Sequence, residues 1–312
     1  KTGTGVLTLS GLNGGYKGHT YIRQGTLRIT DSSGLGLTEN GTTVQQDAQL
    51  ILALNGTSNT DRATVNEPIL LEGGILGFDG QHLTLGADAS LELIGNSRIS
   101  VTPDSKDAYI FVRDGIDGPG DLIKIGGGTL IINAPLTGSS KQRYQGNTLV
   151  REGVLTIDHN TSLPATTNVE IDSSASLRIL NSSQEIKSLV IADEGQVNSG
   201  DLGLELLSNR GQMRAGSLEG NSAPNRFENY GSIRVNGNIQ TGEGDDLIVN
   251  YGDLYAPQGI EMGPGDDLFR FSGRELNINS TYLVDGGQGK DTVLLNSDEM
   301  PVVVNPGSDA SQ

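Results

Sequence analysis

The sequence predicts an all-β chain wound as a parallel β-helix, with three short strands in each coil of about 21 residues. Three observations carry that expectation. The first is composition: with 45 glycines, no tryptophan and 34% hydrophobic residues among 312, the chain is too poor in apolar side chains for one central core. It must bury them in many small, similar units. The second is local patterning, in which Leu, Ile and Val alternate with polar residues in runs such as Val6–Leu9, Leu91–Leu93 and Val154–Ile157. Each run is bounded by Gly, Asn, Asp or Ser, the pattern of half-buried strands between turns. The third is a long internal period, because units of 20 to 50 residues mark solenoids. Stacked helical repeats of leucine-rich or tetratricopeptide type are a poor alternative, because the period-2 alternation and the glycine content contradict a 3.6-residue helical face.

From the N-terminus, Lys1-Thr2-Gly3-Thr4-Gly5-Val6-Leu7-Thr8-Leu9 opens a unit continued by Tyr16, Gly18, Thr20, Ile22, Gly25, Leu27 and Ile29. The same order returns from Lys124-Ile125-Gly126-Gly127-Gly128 through Tyr144, Gly146, Thr148, Val150, Gly153, Leu155 and Ile157, with an inserted turn loop around 138–142. Between and beyond the copies, Ala48–Leu52, Ala89–Leu93 and Ala175–Ile179 stand 41 and 86 residues apart, close to two and four units. Toward the C-terminus Asn229-Tyr230-Gly231 recurs as Asn250-Tyr251-Gly252 after 21 residues, with Asn209-Arg210-Gly211 before it and Phe271-Ser272-Gly273 after it. Coils stacked about 4.8 Å apart satisfy one another's backbone groups, strand upon equivalent strand. The whole of 1–312 reads as one domain, with the longer repeat at 1–30 and 118–157 and regular coils at 209–295. Segments 31–43, 97–117 and 218–225 break the period and are expected to protrude, with 103–107 the most polar contact candidate.

A formal net charge of −17 and a pI near 4.5 argue against nucleic acid and against anionic lipid as partners. No cysteine is present for disulfides or thiolate zinc sites, and no run of 18 apolar residues offers a membrane span. Membrane insertion by this segment is therefore not expected, and signals for export are expected outside it. His19, His82 and His159 lack metal-ligand spacing, and no serine sits in a Gly-x-Ser-x-Gly elbow. Gly126-Gly127-Gly128 opens a strand and not a helix, so it is no phosphate cradle. Eight tyrosines, five phenylalanines and no tryptophan leave little material for the aromatic platforms of a polysaccharide-cleaving β-helix. No catalytic residue is expected.

The run Gly118-Pro119-Gly120-Asp121-Leu122-Ile123-Lys124-Ile125-Gly126-Gly127-Gly128-Thr129-Leu130, with the Tyr-x-Gly-x-Thr-x-Val-x-x-Gly block after it, resembles the passenger-associated transport repeat of autotransporters. The N-terminal copy is similar. That resemblance implies a right-handed β-helix exported through an outer-membrane barrel and displayed at the bacterial surface or secreted. The leading expectation is a non-catalytic passenger that mediates adhesion or cell–cell self-association, as in aggregation, biofilm formation and virulence. Its partner would be a second copy of itself or a host or matrix ligand. The alternative, motivated by Lys1 falling inside a repeat, is the stalk of a larger autotransporter enzyme such as a subtilisin-like protease with its catalytic domain upstream.

One further motif bears on ligands. Gly242-Glu243-Gly244-Asp245-Asp246, Gly263-Pro264-Gly265-Asp266-Asp267 and Gly286-Gly287-Gln288-Gly289-Lys290-Asp291 resemble calcium-binding nonapeptides, here one per coil. The resemblance implies calcium held by Asp245, Asp246, Asp266, Asp267 and Asp291, while the plainer reading is a tight turn with Asp capping its own backbone. No cofactor is expected to be required.

Overall fold

A computed structural model describes every residue except 12, 37–39, 106–107, 134–139, 159–160, 274, 279–283 and 296–312. Among the described residues the chain is a parallel β-solenoid without helices. It divides into two compact units, Lys1–Thr167 with Ala175–Asn181, and Asn168–Ser174 with Ser182–Gln312.

A complete coil contributes one strand to each of three faces, while among the described residues the strands from Val6–Leu9 to Gln49–Leu52 lie on two. In the first unit Pro68–Glu72, Ile75–Phe78 and Leu83–Leu85 form one coil, and the next strand, Ser90–Ile94, returns to lie parallel beside Pro68–Glu72. In the second unit Leu247–Asn250, Asp253–Tyr255 and Ile260–Glu261 form one coil, and Leu268–Phe271 returns beside Leu247–Asn250. Glycine is required at the tightest stacking points. A Cβ on Gly252 would stand 1.9 Å from the Gly231 carbonyl oxygen, so only glycine lets these turns approach.

The period varies along both units. In the second, Arg226 lies beside Leu247 and Leu247 beside Leu268, the step of 21 that the sequence predicts, whereas Ser188 lies beside Leu206 and Leu268 beside Thr292, steps of 18 and 24. In the first, Leu27 lies beside Leu50, Leu50 beside Leu76, and Leu122 beside Thr148, so coils run to 23 and 26 residues. Turns absorb the extra residues while the strands keep register. The expected equivalence of Ala48–Leu52, Ala89–Leu93 and Ala175–Ile179 fails as well, because their strands lie on three different faces. All three faces use the same alternating pattern, so sequence similarity alone does not distinguish them. Segment 97–117 is likewise no protruding loop: it contains most of Asn96–Val101, then Ala108–Ile110 and Ile116–Asp117. Asp31–Gly36 makes turns, as expected, while residues 37–39, 106–107 and 138–139 of the predicted loops lie outside the described residues.

Inward side chains form ladders along the stacking direction. Leu27, Leu50, Leu76 and Ile99 follow one another in the first unit, each 2% exposed or less. Full burial of each such side chain is worth about 1.5–3 kcal/mol, and repetition supplies what a single core would. In the second unit the inward ladder includes amides: Asn209 Nδ2 donates to Asn229 Oδ1 at 2.7 Å, and Asn229 Nδ2 to Asn250 Oδ1 at 2.6 Å. Phe271 takes the next position, and Asn250 Nδ2 turns to the Gly252 carbonyl. The repeated Asn-Tyr-Gly triplet is thus an inward amide, an outward ring and a close-packed turn.

Candidate functional site

The two copies of the longer repeat, both in the first unit, make the same local structure. Lys124 continues the aliphatic ladder after Ile99, yet its Nζ reaches a turn and donates to the carbonyls of Ile125, Gly126 and Glu152 at 3.0, 2.6 and 3.0 Å. Lys1 Nζ donates to the matching carbonyls of Thr2, Gly3 and Gln24 at 3.2, 2.5 and 2.8 Å. Gly25 and Gly153 have φ of +69° and +68°, each with a notional Cβ 2.5–2.7 Å from turn carbonyl oxygens of the preceding coil. The copies nevertheless occupy different faces: Val6–Leu9 joins the sheet that later contains Asp121–Ile125, whereas Thr129–Ile132 lies in another. The repeat is therefore a lysine-clamped pair of rungs, independent of face. Burial pushes the Lys124 ammonium down to about 8 despite the charge of Glu152. Tyr144, also buried, hydrogen-bonds Thr148 Oγ1, and burial raises its phenol above the usual range. Lys1 and Lys124 were visible in the sequence only as matching letters. Their chemistry was not, because a lysine between Ile123 and Ile125 reads as outward.

The predicted Asp cluster forms a corner of the second unit, leading into strands Leu247–Asn250, Leu268–Phe271 and Thr292–Leu295. It separates into two ladders. Asp245 and Asp266 are exposed: Asp266 N donates to Asp245 Oδ1 and Lys290 N to Asp266 Oδ1, both at 2.9 Å. Asp246 and Asp267 are 2% exposed and run the other way. Asn225 N donates to Asp246 Oδ1 at 2.7 Å, Asp246 N to Asp267 Oδ1 at 2.8 Å, and Asp267 N to Asp291 Oδ1 at 3.1 Å. The Oδ2 atoms of Asp246 and Asp267 are buried with no hydrogen-bond partner. Burial, and then the neighbouring carboxylates of Asp246, Asp291 and Asp245, push the Asp267 carboxyl up to about 6 against the bond from Asp246 N. Among the described residues no group of three or more His, Asp or Glu side chains is arranged to hold a metal ion. His19 pairs with Thr43 Oγ1 at 2.8 Å and belongs to no such group, and His159 lies outside the described residues.

At the opposite end of the same strands stands a corner of arginine and tyrosine. Tyr230 and Tyr251 stack at 5.0 Å and 16°, with the Arg210 guanidinium 4.9 Å from the Tyr230 ring and that of Arg270 5.7 Å from the Tyr251 ring. None of the ion pairs among the described residues uses Arg210, Arg234 or Arg270. Between the corners the outward rows are partly aliphatic. Leu206, Arg226, Leu247 and Leu268 follow in one row and Val190, Ser208, Glu228, Val249 and Arg270 in the other, with Val190 45% and Leu206 44% exposed, Leu247 and Leu268 half-buried and Val249 buried. The neighbouring face presents Gln212, Arg214, Ser232, Arg234, Asp253 and Glu275, all polar.

The family model of the passenger-associated transport repeat matches residues 1–29 and 122–157, and with the β-solenoid these repeats indicate an autotransporter passenger domain. Such repeats imply surface or secreted localisation. No curated protein and no solved structure matches the chain. No helix among the described residues is long and apolar enough to cross a membrane.

Proposed function

We propose that this passenger is non-catalytic and mediates adhesion by cell–cell self-association, with a second copy of the chain as its partner. The observation that carries the reading is the first face of the second unit: aliphatic rows between an acidic corner and an arginine–tyrosine corner. A two-fold axis parallel to the stacking direction, lying between two such faces, sets each acidic corner against the partner's basic corner. At the coils of Leu206–Asn209, Leu247–Asn250 and Leu268–Phe271, Glu205 would meet Arg210, Glu243 and Asp245 would meet Tyr251, and Asp266 would meet Arg270. Antiparallel stacking would oppose like charges instead, so complementarity selects one arrangement. Six strands about 4.8 Å apart and about four residues long give roughly 300–400 Å² per copy, the scale of a weak contact. Adhesive strength would come from many copies on one surface.

The absence of native cysteine makes the test direct. Glu243→Cys and Tyr251→Cys chains, mixed under mild oxidant, should form the mixed disulfide faster than either forms its own dimer. Association without that preference would refute this face, and no association at millimolar concentration would refute the function.

A further inference from the structure

The inner Asp ladder begins with an amide. Asn225 occupies the first rung, and its Nδ2 is surrounded by oxygen: the carbonyls of Asn221, Ala223 and Thr241 at 3.2, 2.5 and 2.9 Å, and Asp246 Oδ1 at 3.2 Å. The following turns stack on this one. A Cβ on Gly242 would meet the Asn221 carbonyl oxygen at 2.4 Å and one on Gly263 the Gly242 oxygen at 1.9 Å, while one on Gly265 would meet the Gly244 oxygen at 2.0 Å. Register therefore puts Gly242, Gly244 and Met262 around Asp246 in the positions that Asn221, Ala223 and Thr241 hold around Asn225, and Gly263, Gly265 and Gly286 around Asp267.

In those two rungs a carboxylate replaces the amide, and no side-chain nitrogen is left to donate to the turn carbonyls. Asp246 and Asp267 each give Oδ1 to a backbone N–H of the preceding coil and leave Oδ2 buried and unpartnered. Each buried, unpaired carboxylate oxygen is thus set among turn carbonyls that are acceptors themselves, although the Met262 carbonyl already takes a bond from Thr241 Oγ1 at 2.8 Å. Leaving such a group without a counter-charge costs several kcal/mol, whereas hard oxygen ligands are what calcium-class ions take. We propose that the Asp246 and Asp267 rungs bind a hard divalent cation of the calcium class, seated against the unpartnered Oδ2 atoms. Carboxylates from successive coils supply the charge and turn carbonyls supply the remaining ligands, which is why no set of three acidic side chains is needed. The outer pair, Asp245 and Asp266, is exposed, so water can satisfy its carboxylates, and the proposal does not use it.

The inference does not rest on self-association, and its test reads the chain's own stability. Thermal unfolding and isothermal titration would be measured at pH 7.5 with calcium chloride after chelator treatment. Wild-type chain should gain several degrees and show saturable binding. The double variant Asp246→Asn, Asp267→Asn, which places in these rungs the residue that Asn225 already shows to fit, should unfold higher than metal-free wild type and show no calcium response. A wild type indifferent to calcium, or a variant that responds equally, would overturn the proposal.

Discussion

Replacing Lys124 by Met removes one ammonium group from an inward ladder, and its effect is calculable because the group is fully buried. In the folded chain Lys124 loses its proton near pH 8, against an ordinary value of 10.5. Between those values the unfolded chain binds a proton that the folded chain does not. Unfolding free energy therefore rises with pH across that window, by up to about 1.4 kcal/mol per pH unit and about 3 kcal/mol in total. Below pH 8 both states are protonated and the contribution is flat. At neutral pH the variant is expected to change little, since three carbonyls lose their donor, at about 1 kcal/mol each, while the burial of a charge is relieved. The pH dependence is the sharper readout. Urea unfolding from pH 7 to 10 should show wild type gaining on Lys124→Met by about 2–3 kcal/mol, with Tyr144 common to both chains and cancelling. Parallel pH profiles for the two proteins would refute the buried-clamp reading of this residue.

Two other substitutions test the stacking. Gly153→Ala should cost more than about 2 kcal/mol by urea unfolding, because φ is +68° and the new Cβ would lie 2.5 Å from the Gly128 carbonyl oxygen; a loss below 1 kcal/mol would mean that the turn relaxes freely. Asn229→Leu should cost about 2–3 kcal/mol by leaving the Asp253 carbonyl and Asn250 Oδ1 without their donor and taking an acceptor from Asn209 Nδ2, with Asn209→Leu less damaging since it strands only Asn229 Oδ1 and the Ser232 carbonyl. Equal losses would contradict the directional chain of amides.

Much of this was legible in the sequence. Alternation showed which side chains point inward wherever one row is polar, and the Asn-Tyr-Gly triplets marked a true coil length because an inward amide, an outward ring and a close-packed glycine each have a physical reason to recur. Where turns vary in length the letters misled. Ala48–Leu52, Ala89–Leu93 and Ala175–Ile179 are alike because any turn leading into a strand looks so, and a residue count cannot say which face the strand joins. Of the Asp cluster, the sequence identified the residues and their common corner, but not their division into exposed and buried ladders. That depends on adjacent residues pointing oppositely, and on backbone N–H groups of neighbouring coils. The aliphatic rows at Val190 and Leu206 escaped notice for the same reason as Lys124: one-residue alternation does not announce which side is inward when both rows contain apolar residues.

Sedimentation velocity of the purified chain over a concentration series, in low and high salt, tests self-association most directly. The account predicts a reversible monomer–dimer shift that weakens as salt screens the opposed corners and disappears in Leu206→Lys, which puts a charge in the middle of the contact. A chain that stays monomeric at every concentration, or a dimer indifferent to both salt and Leu206→Lys, would contradict it.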